Sequence, residues 1–445
     1  CDRDCAQASS PSYLEPPTSE DKFDLLLTKL YILRPPLVKC NDSQTEESGG
    51  AWSPDCVPGL EAFVKCQWFG FQYSMEWYVA DVLEQLKERL AARAEDAEFI
   101  FLEQCTSQVY FALRGKHDVK HNEALLVTEE VYLLPLLRWA HSSPHHAKYN
   151  GRNFFTVLSM DLGRQDFPRA SNWMQTWSVG ALSGRTDWLW SSGALEAFSK
   201  EAVLADPRSC FNEDSTNLLQ ARLSQPQDGV IFVFSRFKPR QKQELPEERP
   251  MLGFFAGTPN SCARRQVAQL YANSSELAVF DHILPSNETY QHYLTSSKFC
   301  LVLCGSTHTN NVRLLDAIMH GCVPVIISED FEPPLHWWLS WRDMAVFLPT
   351  SSIPDLVGIL STEVANGMWK RRHELLLIGA RAATKVLDWR RIDFWALYFY
   401  EVTEKMKLSR TFAAEASVQQ YAARAVARNR TTAMETRGVL RALLE

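Results

Sequence analysis

Two rhythms of apolar and polar positions divide the chain. In the first half the apolar runs are short and widely spaced: "KLYIL" predicts a strand at Lys29–Leu33, stopped by Pro35 and Pro36, and "EFIFLE" predicts one at Phe99–Leu102. Between them Trp77, Val79, Val82, Leu83, Leu86 and Leu90 recur at helical spacing, which makes a helix-then-strand unit. A further helix is predicted around Thr128–Ala140. It precedes a strand through "NFFTVLSM" that closes on Asp161 and Gly163, and a Trp-rich interval leads to another strand at Gly229–Phe234. The segment 236–250, "RFKPRQKQELPEERP", is charged, punctuated by proline and without apolar period, as an interdomain linker would be.

Beyond it the alternation becomes regular. Strand "MLGFFAG" is followed by a helix near Ser261–Ala272, strand "ELAVFDHIL" by a helix near Glu288–Ser297, and strand "KFCLVLCG" by a helix at Asn310–His320. Strands "VPVIIS" and "AVFLP" and a helix from Ser352 complete the series. Near-continuous apolar strands separated by helices imply a parallel sheet covered on both faces, so residues 251–390 read as doubly wound α/β. Ligands on such sheets bind beyond the carboxyl ends of the strands, here the loops "AGTPNSCARR", "CGSTHTNNVR" and "SEDFEPPL". The division is then an exposed leader 1–22, an N-terminal lobe 23–235, the linker 236–250, a C-terminal lobe 251–390 and a helical tail 391–445.

Composition narrows the function. A chain of 445 residues is too long for one ordinary core, which fits two lobes of roughly 150 to 200 residues. A net charge of −7 argues against broad binding to nucleic acid or anionic membrane, while leaving room for a local basic pocket. No apolar run is long enough to span a bilayer. The chain opens at Cys1 rather than Met, so a signal or anchor segment is expected to lie outside it. Among 11 cysteines, Cys1, Cys5, Cys40, Cys56 and Cys66 crowd the first 66 residues, which suggests disulfides, with Cys40 to Cys56 one plausible pair. Cys300, Cys304 and Cys322 lie in apolar strands and are expected to be small buried hydrophobes. Sequons at Asn41, Asn273, Asn287 and Asn429 join the leader cysteines in favouring the secretory lumen.

The stretch "NNVRLLDAIMHGCVPVII" carries the chemistry. A helix N-terminus offers unpaired N–H groups and partial positive charge, which suits a phosphate, and Gly305, Ser306, Thr307 and Thr309 form a donor-rich approach to it. Arg313 is one turn in, able to grip a diphosphate with both prongs of its guanidinium. Asp316, on the same face, can accept from a ribose hydroxyl pair. An intrahelical Arg313 to Asp316 ion pair on a solvated face explains the same spacing.

These residues resemble the exostosin family of glycosyltransferases, family 47, whose signature runs S-K-F-C-L-x-P-x-G, then R-x-x-[DE]-A-I, then G-C-[IV]-P-V. Ser297, Lys298, Phe299, Cys300, Leu301, Gly305, Arg313, Asp316, Ala317, Ile318, Gly321, Cys322, Pro324 and Val325 match it in order. Upstream, "LGFFAGTPNSCARRQV" is similar to the family's F-x-G segment with a following basic residue, Arg264 or Arg265, and "YNGRNFFTVLSMDLG" to its G-R-D-H-F and D-x-G block.

The resemblance implies a GT-B architecture, two Rossmann-like lobes facing a central cleft, with the second lobe holding a nucleotide sugar and the first presenting the acceptor. It implies sugar transfer with inversion from a uridine diphosphate sugar to a glycan or polysaccharide. Arg313 and Arg264 would stabilise the departing diphosphate with no metal and no cofactor. Asp161 would be the base, or else caps the turn after its strand; Arg152 would touch the diphosphate or donor sugar, or else a surface carboxylate. Glu329 and Asp330 would hold donor hydroxyls, or else shape the turn before Pro333. Trp173, Trp177, Trp188 and Trp190 are open to acceptor stacking or core packing. Location in the Golgi or endoplasmic reticulum lumen, with an anchor outside this chain and a family-member partner open, follows the same resemblance.

Asn153 and Phe154 stand where the family carries Asp-His, which motivates a second reading: a catalytically silent subunit or glycan-binding module. A dinucleotide oxidoreductase lacks support, because no G-x-G-x-x-G follows a strand and opens a helix.

Overall fold

Among the described residues ten strands form two separate five-stranded sheets, and every neighbouring pair in both is parallel. The computed structural model describes residues 26–35, 73, 75–116, 118–160, 163–182, 228–230, 246, 248–305, 312–328, 331, 333–335, 341–386 and 392–415. The leader, the Cys40 and Cys56 pair, Asp161, Ser306, Glu329, Asp330, Trp188, Trp190, Asn41 and Asn429 lie outside them.

The first sheet runs in chain order: β1 (Leu30–Leu33), β2 (Phe99–Leu102), β3 (Phe154–Leu158), β4 (Ser178–Ala181) and β5 (Gly229–Val230). Its middle strands are buried on both faces, so they are apolar throughout, and their alternate side chains separate into two cores. Phe99, Phe101, Phe155 and Val157 share one core with Val79 and Leu83 of α1 (Met75–Gln85). Ile100, Leu102, Phe154 and Leu158 share the other with Val109 and Leu113 of α2 (Thr106–Lys116), and with Ala124 of α3 (His121–Thr128) and Leu137 of α4 (Leu134–Ser142). Short helices α5 (Pro144–Lys148) and α6 (Pro168–Trp173) flank β3 in sequence.

The second sheet has the order β10-β9-β8-β6-β7, with β6 (Met251–Ala256), β7 (Leu277–Phe280), β8 (Ser297–Leu303), β9 (Val323–Ile327) and β10 (Val346–Leu348). Its helices are α7 (Cys262–Tyr271), α8 (Asn287–Ser296), α9 (Val312–Met319), α10 (Trp341–Met344), α11 (Leu356–Ala365) and α12 (Met368–Val386). The chain leaves β6 toward β7 on one side, then crosses to β8 on the other. The carboxyl ends of β6 and β8 therefore flank a topological switch point, where parallel sheets open a crevice.

Helix α13 (Ile392–Glu415) ties the lobes together: it packs on α12 and also on β4 and β5. Its Phe399 ring lies 6.1 Å from that of Phe155, and Arg410 pairs with Glu98 at 2.9 Å. Lys405 donates to the Asp228 carbonyl at 3.2 Å, and the Asp228 carboxylate takes Arg164 at 2.5 Å. Burying those charges is tolerable because each has an opposite charge or a carbonyl beside it.

The structure corrects several expectations. Helices α2 and α3 and strand β4 did not stand out in the sequence; the first turn of α2 buries Thr106, Ser107 and Gln108, which blurs the apolar contrast. The helix expected at Thr128–Ala140 is present but starts earlier: α3 and α4 run on into each other through a π turn at Glu129–Leu133. Cys300 and Cys322 are not independent hydrophobes: Cys300 in β8 and Cys322 just before β9 form a disulfide, with Cα atoms 5.7 Å apart, and Cys105 and Cys304 are each disulfide-bonded as well. Packing resumes inside the expected linker: Arg249 is buried and donates to the carbonyls of Leu294, Ser297 and His320, at the carboxyl ends of α8 and α9. No helix among the described residues is long and apolar enough to cross a membrane.

Candidate functional site

At the carboxyl end of β6 the ring of Phe255 carries two cations. The Arg313 guanidinium lies 5.4 Å and that of Arg264 6.0 Å from its centroid. The first comes from α9, the second from α7, so the sheet's switch point brings together two arginines that are distant in sequence. Arg313 Nε donates to the Ala256 carbonyl at 2.8 Å, the last residue of β6. Glycine follows, and a Cβ on Gly257 would overlap Arg313 Nη2 and force the guanidinium to move.

Arg264 is held from the other side. Its Nη1 donates to Asn260 Oδ1 at 2.9 Å and to the Thr258 carbonyl at 3.4 Å, and its Nη2 to the Leu303 carbonyl at 3.4 Å. Its buried Nε has no hydrogen-bond partner among the described residues. Ser261 caps α7 by accepting from Arg264 N at 3.3 Å, and its hydroxyl donates to the Cys304 carbonyl at 2.8 Å. That bond pins the start of α7 to the end of β8.

Burial, reinforced by the like charge of Arg313, pushes the Arg264 guanidinium down to about 9. Burial also lowers Arg313, against the opposing pull of Tyr290 and Asp316. Two cations brought together beside a helix N-terminus, Arg264 buried and Arg313 half-buried, favour an anion.

Asp316 is almost fully buried and accepts from the Tyr290 hydroxyl at 3.2 Å, so it lies behind Arg313 rather than on a solvated face. The surface-pair explanation of the Arg313 and Asp316 spacing is thereby replaced by a buried arrangement. Arg265 turns away: it is exposed and, among the described residues, reaches the Pro259 carbonyl and Cys262 Sγ at 3.5 and 3.4 Å. Of the two candidates it is Arg264 that joins Arg313. Gly305 follows β8 and Cys304 at the same edge.

Arg152 is a correction. It stands in the turn before β3, at the amino end of the strand, whereas Ser159 and Met160 leave the carboxyl end. A five-residue strand spans about 16 Å, which removes Arg152 from the ligand edge. Asn153 and Phe154 share that amino end. Both are buried, Asn153 donating to the His145 carbonyl at 3.3 Å and Phe154 packing 4.9 Å from Trp177. The departure from Asp-His is thus a change in core packing. Trp177 is wholly buried, while Trp173 keeps about a third of its surface exposed.

Sequence reasoning missed Phe255 and Gly257 as parts of the site, although the F-x-G spacing before a helix holds both. Tyr290 carried no signal, since its role depends on how α8 packs against α9. Among the described residues no group of three or more His, Cys, Asp or Glu could hold a metal ion.

The fold and site define a two-lobed parallel α/β protein with a cationic site at the switch point of its second sheet. The chain belongs to the exostosin GT47 family, whose domain model matches residues 37–362. It is 30% identical over 160 residues to a probable glycosyltransferase of Arabidopsis thaliana, covering 32% of this chain and 30% of that protein. It is 29% identical over 163 residues to a probable glucuronosyltransferase of Oryza sativa subsp. japonica (34% of this chain, 38% of that one). A probable β-1,4-xylosyltransferase of Arabidopsis thaliana is 29% identical over 162 residues (34% and 39%). The chain thus spans roughly a third of the length of these relatives. Among solved structures, Anabaena HepE in complex with UDP-glucose covers 77% of this chain and 97% of its own, at 11% identity and a TM-score of 0.32. A likeness at that level has no bearing on the site.

Proposed function

We propose that this chain is an inverting glycosyltransferase that moves a sugar from a uridine diphosphate sugar to a glycan or polysaccharide acceptor. The observation that carries the reading is the Arg264 and Arg313 pair on Phe255, at the switch point between β6 and β8. Family membership and relatives named as probable glucuronosyl- and xylosyltransferases support it.

The acceptor hydroxyl attacks the anomeric carbon, its oxygen forms the new glycosidic bond, and the bond from that carbon to the diphosphate oxygen breaks. The hydroxyl proton passes to Asp161, which follows Ser159 by two positions in the sequence. Negative charge grows on the diphosphate as it leaves, and Arg264, Arg313 and the N–H groups that open α7 offset it without a metal ion. Asp316 and Tyr290 support Arg313 from behind; Gly305 and Ser306 let the backbone approach the phosphates, and Glu329 binds donor hydroxyls. The bonded cysteines Cys105, Cys300, Cys304 and Cys322, with exposed sequon residues Asn273 and Asn287, support residence in the Golgi or endoplasmic reticulum lumen.

The test is a thermal-shift and donor-hydrolysis screen of the purified chain against uridine diphosphate sugars, UDP-glucuronic acid and UDP-xylose first. Stabilisation by one donor with slow diphosphate release, abolished by Arg313→Ala, is the expected result. A folded protein that neither binds nor turns over any donor in the presence of glycan acceptors would overturn the reading.

A further inference from the structure

A second cluster of buried polar groups lies at the carboxyl edge of the first sheet, outside the arginine site. Glu76, second residue of α1, is 4% exposed, yet its carboxylate accepts from Ser107 N at 2.9 Å, Ser107 Oγ at 2.8 Å and Ser159 N at 3.1 Å. Its own backbone N–H donates to Ser159 Oγ at 3.1 Å. Glu76 and Ser159 therefore clasp each other in both directions.

The clasp joins three strand-to-helix junctions. Ser107 belongs to the first turn of α2, where the carboxylate meets the positive end of the helix. Gln104 accepts from Thr106 N at 2.6 Å, and its side-chain nitrogen donates to the carbonyl of Val157 in β3. Ser159 is the first residue after β3. A carboxylate that organises three loops at the ligand edge of the sheet, rather than an apolar residue of like volume, is an expensive way to hold a core.

We propose that Glu76, in its charged form, is a positioning residue of the transfer reaction, fixing through Ser159 the course of the chain as it leaves the carboxyl end of β3. This rests on the function proposed above. Protonation would turn one carboxylate oxygen into a donor and weaken the acceptance the two serines use, and burial raises the Glu76 carboxyl to about 7, against the opposing hydrogen bonds of Ser107, Ser159 and Gln104. The titratable group that faces it is the Tyr132 hydroxyl, to which Cys105 N donates at 2.7 Å and which also faces Glu103, itself paired with Arg34 at 2.7 Å.

The experiment compares wild type, Glu76→Gln and Ser159→Ala with the donor and acceptor identified by the screen. It measures kcat across pH, UDP affinity by calorimetry, and hydrogen exchange of the peptide spanning Ser159. The expected result for Glu76→Gln is a kcat lowered tenfold or more, unchanged UDP affinity, faster exchange at Ser159, and an acid limb of the pH profile moved below that of the wild type. Ser159→Ala, which removes a single hydroxyl, follows in the same direction with a smaller loss. It serves as the test if Glu76→Gln does not fold. Wild-type kcat with an unmoved acid limb in the folded variants overturns the role of Glu76 and leaves the transferase reading standing. An equal loss of UDP affinity and kcat makes Glu76 a general support of the fold and overturns it as well. Absence of turnover in the wild type with every donor overturns the transferase reading, and this role with it.

Discussion

Arg313 fills the space that a side chain on Gly257 would need: a Cβ there would stand 2.0 Å from one guanidinium nitrogen and 2.9 Å from its central carbon. The glycine of the F-x-G segment is thus a condition on the placement of an arginine that comes from another helix.

Gly257→Ala should therefore act through Arg313. The guanidinium must shift off Phe255 and its bond to the Ala256 carbonyl must stretch or break. UDP affinity and kcat/KM are expected to fall about tenfold or more, roughly 1.4 kcal/mol, with a melting temperature close to wild type. Calorimetry and steady-state kinetics check this; unchanged affinity would show that Arg313 in its present position does not hold the diphosphate.

Direct removal should cost more. Arg313→Ala is expected to lower kcat/KM about 100-fold, near 2.7 kcal/mol, and Arg264→Ala to fall in the same range. Arg313→Lys keeps the charge but loses the two-pronged contact, so it should recover only part of the loss. Arg265→Ala, removing an exposed side chain turned away from the pair, should leave kcat/KM near wild type. A larger effect at Arg265 than at Arg264 would reverse their assignment.

The first lobe should lose stability in mild acid through His146. Its ring stacks 3.8 Å from His141, and its Nε2 accepts from the Trp177 indole at 3.1 Å, which requires the neutral form. Burial and the neighbouring His141 push it down to about 4. A histidine depressed in the fold stabilises fully above the ordinary histidine range. That contribution is lost as pH falls from there toward about 4, because the unfolded chain takes up the proton first. Denaturant midpoints read by tryptophan fluorescence should drop across that window, and His146→Phe should flatten the drop.

The disulfide between Cys300 and Cys322 closes a chain segment of 22 residues. Loop-closure entropy puts its contribution near 3 kcal/mol, and it joins the strands on either side of α9, which carries Arg313. The Cys300→Ala, Cys322→Ala double variant should unfold at correspondingly lower denaturant while still binding UDP once folded. Loss of UDP binding by the folded variant would mean that the bridge also shapes the site.

Periodicity alone made much of the second lobe legible. Strands β6, β8 and β9 are buried on both sides and read as unbroken apolar runs, and α9 between the latter two has the apolar spacing of a helix. Arg313 stood out because a charged residue interrupts that pattern at the start of a helix. The first lobe was less legible. In α2 polar residues are buried beside apolar ones, and β4 is a run of Ser, Val, Gly and Ala whose burial comes from its neighbours rather than its own hydrophobicity.

By itself, then, the sequence determined two α/β lobes, the regular winding of the second and the arginine at the head of α9, because local backbone preference and burial leave their period in the chain. Only the tertiary structure decided that Arg264 rather than Arg265 meets Arg313 on Phe255, that Asp316 is buried against Tyr290, and that Arg152 stands at the far end of its strand. It also decided that Glu76 clasps Ser159 across three junctions. Each of these depends on which strands adjoin and which way a side chain turns, and contacts between residues distant in sequence leave no period to read.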